Sequence, residues 1–362
     1  MRLRYYITGH GLGHASRSLQ IIASLRRRHP ALPVEIVSST APWFLRGVSS
    51  IGVAVRPAAF DIGVVQHDSL EMDLPATVTA WQELLARRPA LLAAETESLR
   101  RDGVTLVAAD IPALPLAAAR QAGIPGVGVS NFTWDWICRG FAEEEPAFAA
   151  IAAALAADYA CAARFLSFPF PGEFPAGPPV ELLPLVARRA SRLPAAIRRA
   201  LNLPPQAKVA LISFGGFGLA EFDFAPLRRL ADWTFLAEPA LAGQAPNIRS
   251  ISPEECPYPD LVAAADVVVT KPGYGIVAEA IAHRTAVLYT ERGNFREQEL
   301  LVAGLRRYAR ALEIDNRRLR CGDWGDALAA LLAQPQPTEA LADHGEEVAA
   351  DRLAMLAAGG TS

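Results

Sequence analysis

The chain has 362 residues, a formal net charge of −3, and 51% hydrophobic against 20% charged residues. That length allows two domains, and that balance fits a globular protein with apolar cores. The near-neutral charge excludes a general pull toward nucleic acid or an anionic membrane, and the arginine pairs (188–189, 198–199, 228–229, 306–307) are scattered rather than striped.

The four cysteines, Cys138, Cys161, Cys256 and Cys321, lie far apart and form no C-x-x-C or Cys/His metal spacing. No metal site is expected, and reduced thiols in a cytoplasmic protein are the plain reading. No apolar signal core follows the first basic residues. The longest apolar run, 147–157, is too short and alanine-rich to span a bilayer.

Strand-like and helix-like stretches alternate, which predicts an α/β architecture with parallel sheets. The first half reads as strands near 3–8, 34–39, 53–59, 104–109 and 126–130. Helices are expected after the first glycine turn, over 76–101 with a break near Pro89, and over 113–122. The first strand runs into Thr8-Gly9-His10-Gly11-Leu12-Gly13-His14. Strand, glycine turn, helix brings backbone N–H groups, here at Gly11 and Gly13, close to a polar or anionic ligand. His14 stands where a substrate hydroxyl could lose a proton; the plain alternative is a helix-capping histidine. The dinucleotide fingerprint is incomplete, because His14 replaces its third glycine and the next strand ends in Ser38-Ser39-Thr40 with no acid for a ribose. No G-K-[ST] is present, so a P-loop is excluded. Asp61, Gln66 and Asp68 fall in a loop that could shape an acceptor side. Asn131 to Trp136 follows a strand end, at the carboxyl edge where ligands bind in open parallel sheets; the alternative is that Trp134 and Trp136 simply pack.

Prolines at 169, 171, 175, 178, 179 and 184 mark an irregular linker. The expected division is a first Rossmann-like domain over 1–175, a second over 185–335 and a helical tail over 336–362, with the tail helix at 338–358. The second half restarts the alternation with strands at 209–214, 233–236, 248–251, 267–270 and 286–289. Gly215 and Gly216 follow its first strand and could approach phosphates. Lys271, Gly273, Tyr274 and Gly275 form a second turn into a helix, whose unpaired N–H groups suit a diphosphate. Glu279, one turn into that helix, can accept ribose hydroxyls; the alternative is a surface glutamate favoured by the helix dipole. Glu297 and Gln298 could bond sugar hydroxyls or simply start a solvated helix. Two Rossmann-like halves facing a cleft place the ligand site between them.

On these segments, together with Asp61-Ile62-Gly63-Val64-Val65-Gln66 and Tyr258-Pro259-Asp260-Leu261, the chain resembles glycosyltransferases of the GT-B fold, the MurG-like and family-28 group. It resembles still more closely the glycosyltransferase-like N-terminal region of plant L-arabinokinases. The segments reach to about residue 315, and no galactokinase-type domain follows, so arabinokinase activity is not implied. The resemblance implies that 1–175 is the acceptor-side domain and 185–335 the nucleotide-sugar domain, that His14 is the base, that Glu279 holds the donor ribose, and that Glu297 and Gln298 contact the donor sugar. Thr270-Lys271-Pro272 departs from the serine and arginine of the MurG-like pattern, so the phosphate contacts are expected to differ. The implied reaction is inverting, metal-independent transfer of a sugar from a nucleotide diphosphate sugar, UDP-linked, to a hydroxyl acceptor. No cofactor beyond the donor is expected. A peripheral membrane contact would follow only from a lipid acceptor. The competing readings are a nucleotide-sugar hydrolase or epimerase on the same fold and a non-catalytic nucleotide-sugar-binding protein. A nicotinamide oxidoreductase is more distant.

Overall fold

The computed structural model describes residues 1–215, 222–238, 245–252 and 255–360. Two parallel sheets dominate them. The first takes β1 (Leu3–Ile7), β2 (Val34–Ser38), β3 (Ala54–Pro57), β4 (Leu106–Asp110), β5 (Gly126–Val129), β6 (Arg164–Ser167) and β7 (Val180–Leu182) in the order β3-β2-β1-β4-β5-β6-β7. The second takes β8 (Lys208–Ile212), β9 (Trp233–Ala237), β10 (Ile248–Ser250), β11 (Val267–Thr270), β12 (Ala286–Tyr289) and β13 (Ala311–Glu313) in the order β10-β9-β8-β11-β12-β13. The central strands are apolar on both faces, because helices cover both sides of a parallel sheet. In each sheet the chain runs outward on one side and then crosses to the other. The reversals fall between β1 and β4 and between β8 and β11, which is where open α/β sheets bind ligands.

The first reversal is held in tight register. Ile7 lies opposite Asp110, and the Thr8 N–H donates to the Asp110 carbonyl at 2.8 Å. The first glycine turn therefore leaves β1 directly beside the Asp110 side chain. Arg4 is the exception in this buried core. It is 1% exposed and pairs with Glu35 at 2.8 Å, Glu95 at 3.0 Å and Asp102 at 2.6 Å. Truncating one member of a buried ion-pair cluster strands the others. Arg4→Ala is expected to lose about 3–5 kcal/mol in urea denaturation; a loss under ~1 kcal/mol would show that the cluster is not structural.

Three features differ from expectation. The helix Leu74–Arg101 is unbroken at Pro89. Its buried residues, among them Trp81, Leu84, Leu92 and Leu99, share one face, and Pro89 lies on the exposed one. Water can satisfy the carbonyl that proline frees there, while packing on the other face holds the helix together. The tail helix starts at Gly345 rather than 338, because the preceding residues pair with the linker: Leu185 donates to Ala342 at 2.8 Å and Gly345 to Leu185 at 3.0 Å. The helix then packs on Leu12–Arg28, with Asp351 bound to both Arg28 and His29. Finally, β6, β7 and β13 extend the two sheets beyond the expected strands, and β7 lies inside the proline-rich stretch.

Candidate active site

The two glycine turns face each other across the halves. A Cβ on Gly275 would stand 3.4 Å from the Gly13 Cα, so the two turn backbones approach to about van der Waals contact. Gly11 caps the helix Leu12–Arg28 at φ 71°, and Gly273 caps Tyr274–His283; neither makes a side-chain capping bond. The first N–H groups of both helices thus converge on one region, each at the positive end of a helix dipole.

His14 lies in the first turn, mostly covered, with its ring edge against Phe132. Its Nδ1 stands 2.8 Å from an oxygen of Asp110, which is fully buried at the end of β4. This pairing fixes the ring and assigns the Nδ1 proton to the Asp110 bond, leaving Nε2 as the basic nitrogen. Asp110 also accepts from Arg17 Nη2 at 2.7 Å, Arg17 Nε at 3.1 Å and Ser18 Oγ at 2.7 Å. Burial alone would raise the Asp110 carboxyl, but Arg17 and His14 hold it below the usual carboxylate range.

Three further basic side chains, of which His10 is neutral, surround the glycine turns. His10 follows β1, Lys271 follows β11, and Arg292 lies in the loop after β12. Burial first, then His14, Arg292 and Lys271, pushes His10 down to about 3. Burial first, then Arg292, pushes Lys271 down to about 7, with Asp68 and Glu297 opposing. Arg292 stacks on Phe295 at 3.8 Å and pairs with Glu297 at 2.9 Å. Basic groups that depress one another beside two helix N-termini form a cradle suited to an anion.

Glu279 is 2% exposed on the second helix. Its Oε1 accepts from Arg188 Nε at 2.5 Å, and its Oε2 has no partner. Burial raises its carboxyl, with Arg188 opposing. A small cavity of about 10 Å³ borders it, lined by Ser16, Arg17, Gln20, Arg188, Tyr274 and Glu279. A buried carboxylate oxygen without a donor is costly unless a ligand supplies one.

The remaining sequence candidates distribute as follows. Gly215 sits after β8 at φ 75°, and Gly216 lies outside the described residues. Glu297 is buried and accepts from Asn131 Nδ2 at 2.8 Å as well as from Arg292. Gln298 Oε1 accepts from the Arg292 backbone N–H at 3.0 Å. Both therefore brace the Arg292 loop. Asp61 is buried, with Thr8 and Trp134 donating to its two oxygens, and burial raises its carboxyl. Asp68 accepts from the Leu70 and Glu71 N–H groups and pairs with Arg320 of the second half at 3.1 Å. Gln66 forms an isolated bridge to Met72. Trp134 and Trp136 are buried and pack. Sequence reading assigned no site role to Asp110, Arg17, His10 or Arg292, and placed Asn131 at the ligand-binding strand edge without its partners. Arg17 carried a usable signal: it is three residues after His14, on the same helix face.

No protein-family model matches the chain. Among curated proteins it is similar to an L-arabinokinase of Arabidopsis thaliana, with 29% identity over 367 aligned residues that cover 98% of this chain. The chain spans about a third (34%) of that relative's length. Among solved structures it is similar to CalG4, the calicheamicin glycosyltransferase, at TM-score 0.59 and 17% identity over 99% of this chain and 94% of that one. Arabidopsis thaliana UGT89C1 complexed with UDP aligns at TM-score 0.61 and 16% identity, covering 100% and 96%. Glycosyltransferase VinC in complex with dTDP aligns at TM-score 0.58 and 19% identity, covering 99% and 95%. The chain has the GT-B fold. Its two Rossmann-like sheets and the turns between them correspond to that fold over nearly the whole chain. Among the described residues, no cluster of three or more His, Cys, Asp or Glu side chains could hold a metal ion, and no helix is long and apolar enough to cross a membrane.

Proposed function

We propose that this protein transfers a sugar from a nucleotide diphosphate sugar to a hydroxyl acceptor, with inversion and without a metal. The observation that carries the reading is the His14–Asp110 pair facing a cradle built from two helix N-termini, Lys271 and Arg292, with neutral His10 beside them. The acceptor oxygen attacks the anomeric carbon, its proton passes to His14 Nε2, and the bond from that carbon to the diphosphate breaks with its electrons leaving on oxygen. Asp110 holds the ring and stabilises the imidazolium that forms. The cradle stabilises the charge developing on the diphosphate, the role a metal plays in other transferases. Glu279 Oε2 accepts a ribose hydroxyl. UDP is the first donor series to test, since solved structures of this fold include complexes with UDP and dTDP.

Incubation with a panel of nucleotide sugars and hydroxyl acceptors tests the reading. Nucleoside diphosphate and an inverted glycoside appearing in equal amounts would support it. Free sugar formed at the same rate with and without acceptor would make the protein a hydrolase instead.

The cradle also makes donor binding pH-dependent. Burial and Arg292 push Lys271 down to about 7, and a diphosphate favours its charged form. Binding above pH 7 therefore takes up a proton. Nucleoside diphosphate affinity is expected to be highest below about pH 7 and to fall toward pH 9, at a slope approaching tenfold per pH unit. Titration calorimetry in buffers of different ionisation heat reads that uptake directly; equal heats in both would remove Lys271 from the phosphate site.

A further inference from the structure

The side chains that hold Asp110 do not end within the first half. Arg17 is 3% exposed and uses three of its nitrogens: Nε and Nη2 on Asp110, and Nη1 on Asn131 Oδ1 at 2.7 Å. Asn131 is fully buried and passes the contact across the cleft, its Nδ2 donating to Glu297 Oε1 at 2.8 Å. Glu297 is closed by Arg292 at 2.9 Å. The amide orientation is fixed by these neighbours: a flipped Asn131 would set its NH₂ against a guanidinium and its oxygen against a carboxylate. The second half also completes the packing of Arg17. Its guanidinium lies between the Phe168 ring at 4.9 Å and the Tyr274 ring at 4.7 Å, and Tyr274 opens the second glycine-turn helix.

We propose that Arg17 and Asn131 are positioning residues that make the alignment of the His14–Asp110 pair depend on the second half being docked against the first. The inference rests on the reading of His14 as the base. The cavity beside Glu279 has a volume of about 10 Å³, far below the roughly 300–1,000 Å³ typical of ligand pockets. A donor ribose therefore reaches Glu279 only if the halves part. Parting removes Glu297 from Asn131 and Tyr274 from Arg17. Arg17 is then held from one side only, and the carboxylate it clamps loses its fixed position relative to His14. Docking restores the row Asp110, Arg17, Asn131, Glu297, Arg292, in which acceptors and donors alternate. The base is thus in place when the donor site is assembled and out of place when the cleft is open to water.

Asn131 is the residue to change, since it touches neither His14 nor Asp110. Asn131→Leu keeps the size of the side chain and removes both polar ends; Asn131→Ala, which leaves room for a bridging water, serves if the first variant does not fold. The expected result is a kcat lower by about 10–100-fold with the donor KM within about twofold, as misplacement of a catalytic group gives. A second readout needs no turnover. The His14 Nδ1 proton, buried in its bond to Asp110, exchanges slowly and should give a resolved downfield NMR signal in ¹⁵N-histidine protein. That signal should broaden or vanish in the Asn131 variant. A kcat within twofold of the wild type, or an unchanged Nδ1 signal, would overturn the proposal. If the wild-type protein turns over no nucleotide sugar, the transferase reading fails while the Nδ1 signal still decides whether the row positions His14.

Discussion

His14→Ala is expected to lower turnover by about 10²–10⁴-fold while nucleoside diphosphate affinity stays within about twofold. The asymmetry follows from where His14 sits. Its Nδ1 is committed to Asp110, so its chemical use is at Nε2, and the anion cradle is made by other groups. The variant removes an interaction made only as the acceptor proton moves, which lowers kcat without loosening the ground state. Asp110→Asn should show a loss of the same kind, because an amide donating to Nδ1 would leave the proton on Nε2. Asp110→Asn also leaves Arg17 without its bidentate carboxylate, so its folding must be checked beside its rate. Turnover of His14→Ala equal to the wild type would take the base role away from His14 and with it the inverting mechanism.

Glu279→Ala is expected to weaken nucleoside diphosphate binding by about 10–150-fold, the worth of a hydrogen bond to a charged group of about 1.5–3 kcal/mol. The unpartnered Oε2 beside the cavity is the physical reason. A ribose hydroxyl would satisfy it, and the alanine variant would lose that bond while freeing Arg188 to solvent. Comparing ribonucleotides with analogues lacking both ribose hydroxyls separates this from a general disturbance. The variant should bind the two kinds equally, whereas the wild type should prefer the ribonucleotide. Equal preference in both proteins would show that Glu279 is a structural partner of Arg188 alone.

The parts of this account that sequence could supply are those carried by local chemistry. Apolar runs ended by glycines mark central parallel strands and their turns, and β1, β4, β8 and β11 with both glycine turns lie where the pattern puts them. Short edge strands such as β7 and β13 carry only three residues each and little periodicity, so proline content and polar flanks outweigh them in a reading by pattern. Pro89 shows the opposite error, where a strong local rule yields to packing on the far side of the helix. At the site, His14 and Glu279 stand out by their spacing from glycines. Asp110 does not, because its meaning arises from the β1–β4 pairing, which brings it to His14, 96 positions away. Asn131 and Glu297 are 166 apart and meet only when the two halves dock. Neither residue type is unusual in its own neighbourhood, so no local pattern marks the contact.

The central claim is that the space between the two halves is a nucleotide-sugar site, and a thermal-shift titration with UDP, GDP, dTDP, CDP, ADP and NAD tests it most directly. A ligand that binds only the folded protein stabilises it by about 2.7 kcal/mol at one hundred times its dissociation constant. The account predicts that one nucleoside diphosphate raises the melting temperature selectively, and that Glu279→Ala abolishes most of that rise. No shift with any nucleoside diphosphate, or a shift with NAD alone, would contradict it.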